Sequence, residues 1–333
     1  MTINSTYNKL ITLLPLDTPL SLLIDPSNIC NFQCKFCPTG DKELLKSVNR
    51  PKGMMEYDLF CKIIDDTAEF NKKIRRINIY KDGEPFLNKD VCKMISYAKK
   101  KNVAESIETT SNGSLIDEKT AIDIINSGLD VIRISVEHVN NQGYKDITKT
   151  FSDYETIKKN IKFLFEEKER RNSHLKINVK IIDVNLSEAE KETFLNDFSQ
   201  ISDSVYIDTL MGWSSTDKKD FLLGKEVNTG MDSKNQLKKD RVICPEPFKT
   251  LSINFNGDVS ICCVDWAMDT VIGNVKDEHL KDVWNGEKMK FFRKTQIEGK
   301  RNELKSCSNC QYIQGLNVLS DLDNYADELK KYY

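Results

Sequence analysis

Three cysteines, Cys30, Cys34 and Cys37, stand in the segment Ile-Cys-Asn-Phe-Gln-Cys-Lys-Phe-Cys-Pro. Three residues separate the first pair and two the second, so one loop can wrap three thiolates around a single soft metal centre. A structural zinc ion would want a fourth ligand close by, because tetrahedral zinc sites are normally closed. No further Cys or His lies near this triplet in the sequence. Three thiolates with one position vacant suit a cubane iron–sulfur cluster whose fourth iron stays open to a substrate.

A second cysteine set follows a different pattern. Cys244 and Cys262 flank a stretch in which Leu251, Ile253 and Phe255 alternate, Asn256-Gly257 offers a turn, and Val259 and Ile261 alternate again. That pattern predicts a β-hairpin which brings the two thiolates together. Cys307 and Cys310 form a later Cys-x2-Cys that completes four ligands. Four thiolates bind zinc as readily as iron, so ligand type alone leaves the metal open. Cys263 adjoins Cys262, but neighbours on a strand point to opposite faces, so only one of them should ligate.

The first two-thirds of the chain alternate strand and helix patterns. Strands are predicted at 20–25, 75–80, 106–110, 131–136, 177–182 and 205–210. Capping boxes at Ser152/Glu155 and Ser187/Glu190 open two helices, and Gly128 is a left-handed stop for a third. Six strands alternating with helices imply a parallel α/β sheet with right-handed crossovers. In barrel-like sheets chemistry gathers at the carboxyl ends of strands, and the Cys30–Cys37 loop follows the first strand. Residues 1–19 read as an N-terminal extension and 20–213 as the α/β core. Residues 214–240 are a polar linker or lid, 241–315 a small C-terminal domain and 316–333 a tail.

Composition excludes several classes. The chain has 333 residues, room for one large domain and a smaller one, and its net charge of −2 gives no basic field for nucleic acid. The N-terminus lacks the pattern of a signal peptide and no apolar run reaches membrane-spanning length, so no membrane association is expected. Ten cysteines without a secretion signal point to metal ligation in a reducing cytoplasm.

Cys-x3-Cys-x-aromatic-Cys, with Phe36 in the aromatic slot, resembles the hallmark of the radical S-adenosylmethionine (radical SAM) superfamily. The resemblance implies a partial (β/α)6 TIM barrel. It also implies a [4Fe–4S] cluster on Cys30, Cys34 and Cys37 that binds SAM and cleaves it reductively to a 5′-deoxyadenosyl radical. Cys-x12-Gly-x4-Cys, Val271–Val275, Val283-Trp284-Asn285 and the closing Cys-x2-Cys resemble the family's C-terminal SPASM/twitch extension, a β-hairpin plus helix. No cysteine follows Cys310, which matches the shorter twitch form with one auxiliary [4Fe–4S] cluster on Cys244, Cys262, Cys307 and Cys310. The spacing is similar to that of aminocyclitol dehydrogenases of the family.

By the same resemblance, Lys81-Asp82-Gly83-Glu84-Pro85 stands where the family has Gly-Gly-Glu, with Asp82 replacing the first glycine. Gly83 and Glu84, then Ser111 and Asn112, then Ser135 and Glu137 correspond to SAM-contacting segments. Asp265 and His138 are candidate acid/base residues, and Asp183, Asn185, Asp208 and Trp213 candidate substrate contacts. The expected activity is oxidation of a small polyol, aminocyclitol or sugar, with the auxiliary cluster accepting an electron. A reducing partner such as flavodoxin or ferredoxin is implied. Peptide maturation and sugar epimerisation, with Cys263 returning a hydrogen, are the alternatives.

Overall fold

A computed structural model describes residues 9–225 and 241–333. Strands β1 (Ser21–Ile24), β2 (Ile74–Asn78), β3 (Ala104–Ser111), β4 (Val131–Val136), β5 (Lys176–Ile182) and β6 (Ser204–Asp208) pair in sequence order, all parallel. Helices α1 (Lys42–Ser47), α2 (Tyr57–Asp66), α3 (Val91–Lys101), α4 (Glu118–Asn126), α5 (Asn141–Thr148), α6 (Tyr154–Arg170) and α7 (Glu188–Phe198) connect them. The order β1 to β6 with helical crossovers is the parallel sheet that the alternating pattern predicts and the partial barrel that the resemblance implies.

Period-2 patterning decides which side of the sheet faces the helices. In β4 and β5, Ile132, Ile134, Val136, Ile177, Val179 and Ile181 are buried in the main core. The facing stripe of α6, Ile157, Ile161 and Leu164, lies in the same core. Each such side chain contributes about 1.5–3 kcal/mol relative to leaving it exposed. The other face is polar: Arg133 is paired by register with Asn178, and Ser135 with Lys180, whose own partner is Tyr206. This polar face lines the barrel lumen.

Local signals hold with one shift. Ser187 and Glu190 form the predicted capping box of α7, and Gly128 takes φ +77° just beyond α4. At α6 the cap is Asp153, not Ser152; Asp153 accepts from the Thr156 amide. A carboxylate one residue later out-competes the serine hydroxyl at that turn.

The C-terminal hairpin is not set apart from the barrel. Its first strand, β7 (Thr250–Ile253), pairs in parallel with β1, Ser21 opposite Thr250 and Ile24 opposite Ile253. Strands β8 (Asp258–Ser260) and β9 (Val271–Asn274) follow antiparallel and complete a nine-stranded sheet. Helices α8 (Glu246–Lys249), α9 (Leu280–Asn285), α10 (Glu287–Ile297), α11 (Lys305–Ser308) and α12 (Ala326–Leu329) belong to this half. Where polarity suggested a linker or lid, residues 214–225 are built in: Phe221 is fully buried against Trp266 and Leu45. Residues 226–240 lie outside the described residues. The two ends of the chain also pack together, with Leu10, Phe248, Leu322 and Leu329 in one small core. Among the described residues no helix is long and apolar enough to cross a membrane.

Candidate functional site

The Cys30–Cys37 loop leaves the carboxyl end of β1 and is pinned at several points. The Gln33 amide donates to Thr148 O (2.9 Å) and the Lys35 amide to Ile147 O (3.1 Å), both at the end of α5. The Phe32 amide donates to Cys30 Sγ (3.4 Å) and the Asn112 side-chain amide reaches the same sulfur at 3.9 Å. Burial pushes the Cys30 thiol up to about 12 and raises Cys34 and Cys37 as well, with Glu137 adding to the effect at Cys34. Three half-buried thiols that resist ionising alone suit a centre whose iron supplies the compensating charge.

Glu84 organises the neighbouring rim. Its carboxylate is buried and accepts from Ser111 Oγ (2.8 Å), the Asn112 amide (2.8 Å) and the Phe86 amide (3.2 Å). A carboxylate offers about four lone-pair sites, so roughly one remains for a ligand donor such as an ammonium group. Burial pushes the Glu84 carboxyl up to about 7. Asn112 in turn donates to Asn31 Oδ1 (2.9 Å), inside the cysteine loop. Glu84, Ser111 and Asn112 therefore form one network with the Cys30 segment. Gly83 serves the protein's own backbone: a Cβ there would sit 2.1 Å from Ser27 O and 2.4 Å from Ile29 O. Phe36 is half-buried in the loop. Ser135 faces the lumen, and Glu137, just past β4, is buried with its carboxyl pushed up to about 7 by desolvation.

The second cysteine set converges as well. Cys244, Cys262, Cys307 and Cys310 all line one pocket, with Pro247 and Ile261 among the apolar walls. Burial raises Cys244 and Cys310 and takes Cys307 to about 12; Cys262 is raised by a hydrogen bond with Cys263 and by burial. Cys263 itself donates to Tyr312 Oη (3.6 Å). Zinc–thiolate bonds of about 2.3 Å would draw the sulfurs to roughly 3.8 Å of one another. Among the described residues, the one set of three metal-capable groups closing within 4.8 Å is Asp66, Glu69 and His279, so neither cysteine set is drawn around a single ion.

Several candidates stand elsewhere. Asp265 is buried and accepts from the Thr270 amide (2.8 Å), Thr270 Oγ1 (2.6 Å) and the Asp269 amide (3.1 Å), so it braces the cavity wall. His138 is turned to the helices: its ring lies against Gly143 in α5 and its Nε2 is 3.4 Å from Glu190 at the start of α7. Neither meets the lumen. Asp183 pairs with Lys191 (3.0 Å), and Asn185 takes φ +63° in the turn before α7. Trp213 bridges the loops of the two cysteine sets, through Phe36 O and the Gln311 amide. Asp208 does face the lumen, 3.0 Å from Lys180 Nζ. The lumen set of Tyr80, Glu108, Arg133, Lys180 and Tyr206 went unsingled in the sequence. Its signal was the alternation of polar with apolar residues along β3 to β6, which becomes specific only once register is known.

Comparison with known proteins agrees with this geometry. Residues 24–190 match the Radical SAM superfamily, and residues 244–311 match SPASM, an iron–sulfur cluster-binding domain. A probable GTP 3′,8-cyclase of Methanococcus maripaludis is 33% identical over 138 residues, covering 41% of this chain and 42% of that protein. The chain thus spans less than half of that relative's length. The S-adenosyl-L-methionine-dependent 2-deoxy-scyllo-inosamine dehydrogenase of Niallia circulans is 30% identical over 83 residues, 25% of this chain and 33% of that one. In fold, the chain is similar to BtrN in complex with AdoMet and 2-DOIA (TM-score 0.54, 18% identity, covering 91% and 95%). It is also similar to Streptococcus suis SuiB bound to precursor peptide SuiA (TM-score 0.65, 15% identity, covering 97% and 76%). This chain belongs to the radical SAM superfamily and carries a C-terminal SPASM domain, so its cofactors are S-adenosylmethionine and [4Fe–4S] clusters.

Proposed function

We propose that the chain is a radical SAM oxidoreductase that dehydrogenates a small polyol, such as an aminocyclitol or a sugar. The observation that carries this reading is the polar lumen. Arg133 pairs with Glu108 at 2.5 Å and Lys180 with Asp208 at 3.0 Å, and the charges of Arg133 and Lys180 both sense Tyr80 and Tyr206. Alternating donors and acceptors on rigid strands suit vicinal hydroxyl and amino groups. When bound, the cofactors supply hydrogen abstraction from a carbon at the first cysteine set and a one-electron acceptor at the second.

In this reading Cys30, Cys34 and Cys37 hold the first cluster, and Glu84, Ser111, Asn112, Ser135 and Glu137 cradle SAM. Cys244, Cys262, Cys307 and Cys310 hold the second cluster. Asp208, kept in place by Lys180, is the lumen carboxylate that takes the hydroxyl proton, the role that Asp265 and His138 are not placed to fill. Exposed Lys35, Lys42, Lys46 and Lys149 around the first cysteine loop suit an acidic electron donor of the flavodoxin or ferredoxin type.

The test is anaerobic incubation of the reconstituted enzyme with SAM, a reductant and a panel of aminocyclitols and sugars that includes 2-deoxy-scyllo-inosamine. A carbonyl product formed together with 5′-deoxyadenosine supports the proposal. Turnover on peptides alone favours the second reading, peptide maturation, which rests on the higher TM-score to peptide-bound SuiB. A product epimer carrying solvent deuterium replaces dehydrogenation with epimerisation, for which Cys263 beside Tyr312 is the hydrogen donor to test.

A further inference from the structure

Asp82 stands where the family motif has a glycine, and the structure gives it work to do. Its Oδ2 lies 2.5 Å from Lys81 Nζ and 2.9 Å from Arg50 Nη2, and none of the three side chains is more than 1% exposed. Asp25, at the end of β1, is buried in electrostatic range of all three. Arg50 continues to Thr39 Oγ1 (3.2 Å), two residues beyond Cys37. Lys81 continues to Asn254 Oδ1 (2.9 Å), and Asn254 Nδ2 donates to Ser260 Oγ (3.1 Å), two residues before Cys262. One carboxylate is thus tied at both ends, to the first cysteine loop and to the hairpin that carries the second set.

Stability is a weak reason for such a network, since buried ion pairs contribute little net compared with apolar side chains of the same volume. Asp25 Oδ1, Asp82 Oδ1, Arg50 Nε and Arg50 Nη2 have no hydrogen-bond partner, the 2.9 Å approach of Nη2 to Asp82 being an ion pair without hydrogen-bond geometry, so the network is not even fully satisfied. What it does provide is a fixed charge of each sign beside the first cysteine loop: Arg50 reaches Thr39 Oγ1, two residues beyond Cys37, and holds Asp82 2.9 Å away.

We propose that the Asp82–Arg50 ion pair is a positioning device for the first cluster, fixing the Cys37 end of its loop and setting, by its two opposed charges, how readily that cluster accepts an electron. The proposal rests on the cluster being held by Cys30, Cys34 and Cys37. Reduction adds one electron, supplied by the external reductant, and therefore one negative charge. Asp82 opposes that charge and Arg50 favours it.

The experiment is an electron paramagnetic resonance redox titration of the reconstituted full chain, with dithionite as reductant, following the signal that changes on adding SAM. Asp82→Asn should raise the reduced-to-oxidised ratio at fixed potential by about tenfold, a shift of about 59 mV for a one-electron couple. Arg50→Met should shift the ratio in the opposite direction, and the double variant, which removes one charge of each sign, should return close to wild type. Single variants that fold but lose the first cluster's iron, with iron restored in the double, support the same coupling. Shifts of the same sign, no shift at all, or a double variant no better than the singles overturn the proposal. A wild-type protein that shows no SAM-responsive signal, or keeps it in Cys34→Ala, contradicts the cluster assignment itself and not the ion pair's role.

Discussion

The indole N–H of Trp213 donates to Phe36 O at 3.1 Å, while the main-chain oxygen of Trp213 accepts from the Gln311 amide at 3.0 Å. A single residue, five beyond the end of β6, therefore holds the loop of Cys34 and Cys37 with one group and the loop of Cys310 with the other. Its ring packs edge-on against Phe221, at 6.4 Å. The two cysteine sets are thus fixed relative to each other by a strap that uses one side chain and one carbonyl.

Trp213→Phe keeps an aromatic ring and removes the indole donor. The loss should be about 1 kcal/mol from the broken hydrogen bond, read as a lower denaturation midpoint, together with slower iron loading at the first cysteine set. Unchanged stability and loading would show that the strap is incidental.

Gly83→Ala should be far more damaging than its size suggests. The new Cβ would meet Ser27 O at 2.1 Å and Ile29 O at 2.4 Å, and main-chain atoms cannot rotate away. Overpacking of this kind costs about 1–3 kcal/mol, and here it displaces the chain leading into Cys30. Iron analysis after reconstitution should find the first cluster depleted and the second retained; full iron at both sites would contradict this.

The Glu84 carboxyl, raised by burial from 4.5 to about 7, makes a signed pH prediction. Between those values the folded state keeps a proton that the unfolded state has lost, so stability falls as pH rises through the window and levels off above it. The loss is on the order of 3 kcal/mol, from the size of the shift. In the iron-free protein, Glu84→Gln should remove this slope, so the variant gains on wild type between pH 5 and pH 8. An equal gap at both pH values would refute the assignment.

Lys180→Met should leave SAM cleavage in the absence of substrate unchanged while lowering substrate-dependent turnover by tenfold or more, because Asp208 loses the cation 3.0 Å away that orients it. Liquid chromatography of 5′-deoxyadenosine with and without polyol separates the two effects. An equal fall in both would place Lys180 in SAM binding instead of substrate binding.

Much of this site is legible in the sequence because it is local. Cysteine spacing, the Asn256-Gly257 turn and the Ser187/Glu190 cap each act within a few residues, and the structure keeps them together. The residues that went astray depend on distant partners. Asp265 and His138 are capable of acid/base chemistry, but Thr270 occupies one and the α5–α7 packing turns the other outward. Lys81 joins Asp82 to Asn254 only because β1 pairs with both β2 and β7, a register that no short window of sequence contains. The joining of the hairpin to the barrel edge escaped notice for the same reason.

The central claim is that the chain carries two cubane clusters, of which one alone binds SAM. Mössbauer spectroscopy of the protein reconstituted anaerobically with ⁵⁷Fe tests it most directly. The account predicts about eight irons per chain, four per cubane. On adding SAM, one iron of one cluster should change its parameters while the other cluster stays unperturbed, and Cys34→Ala should lose the responsive cluster only. About four irons with zinc at the second cysteine set, or a SAM-induced change that survives in Cys34→Ala, would contradict it.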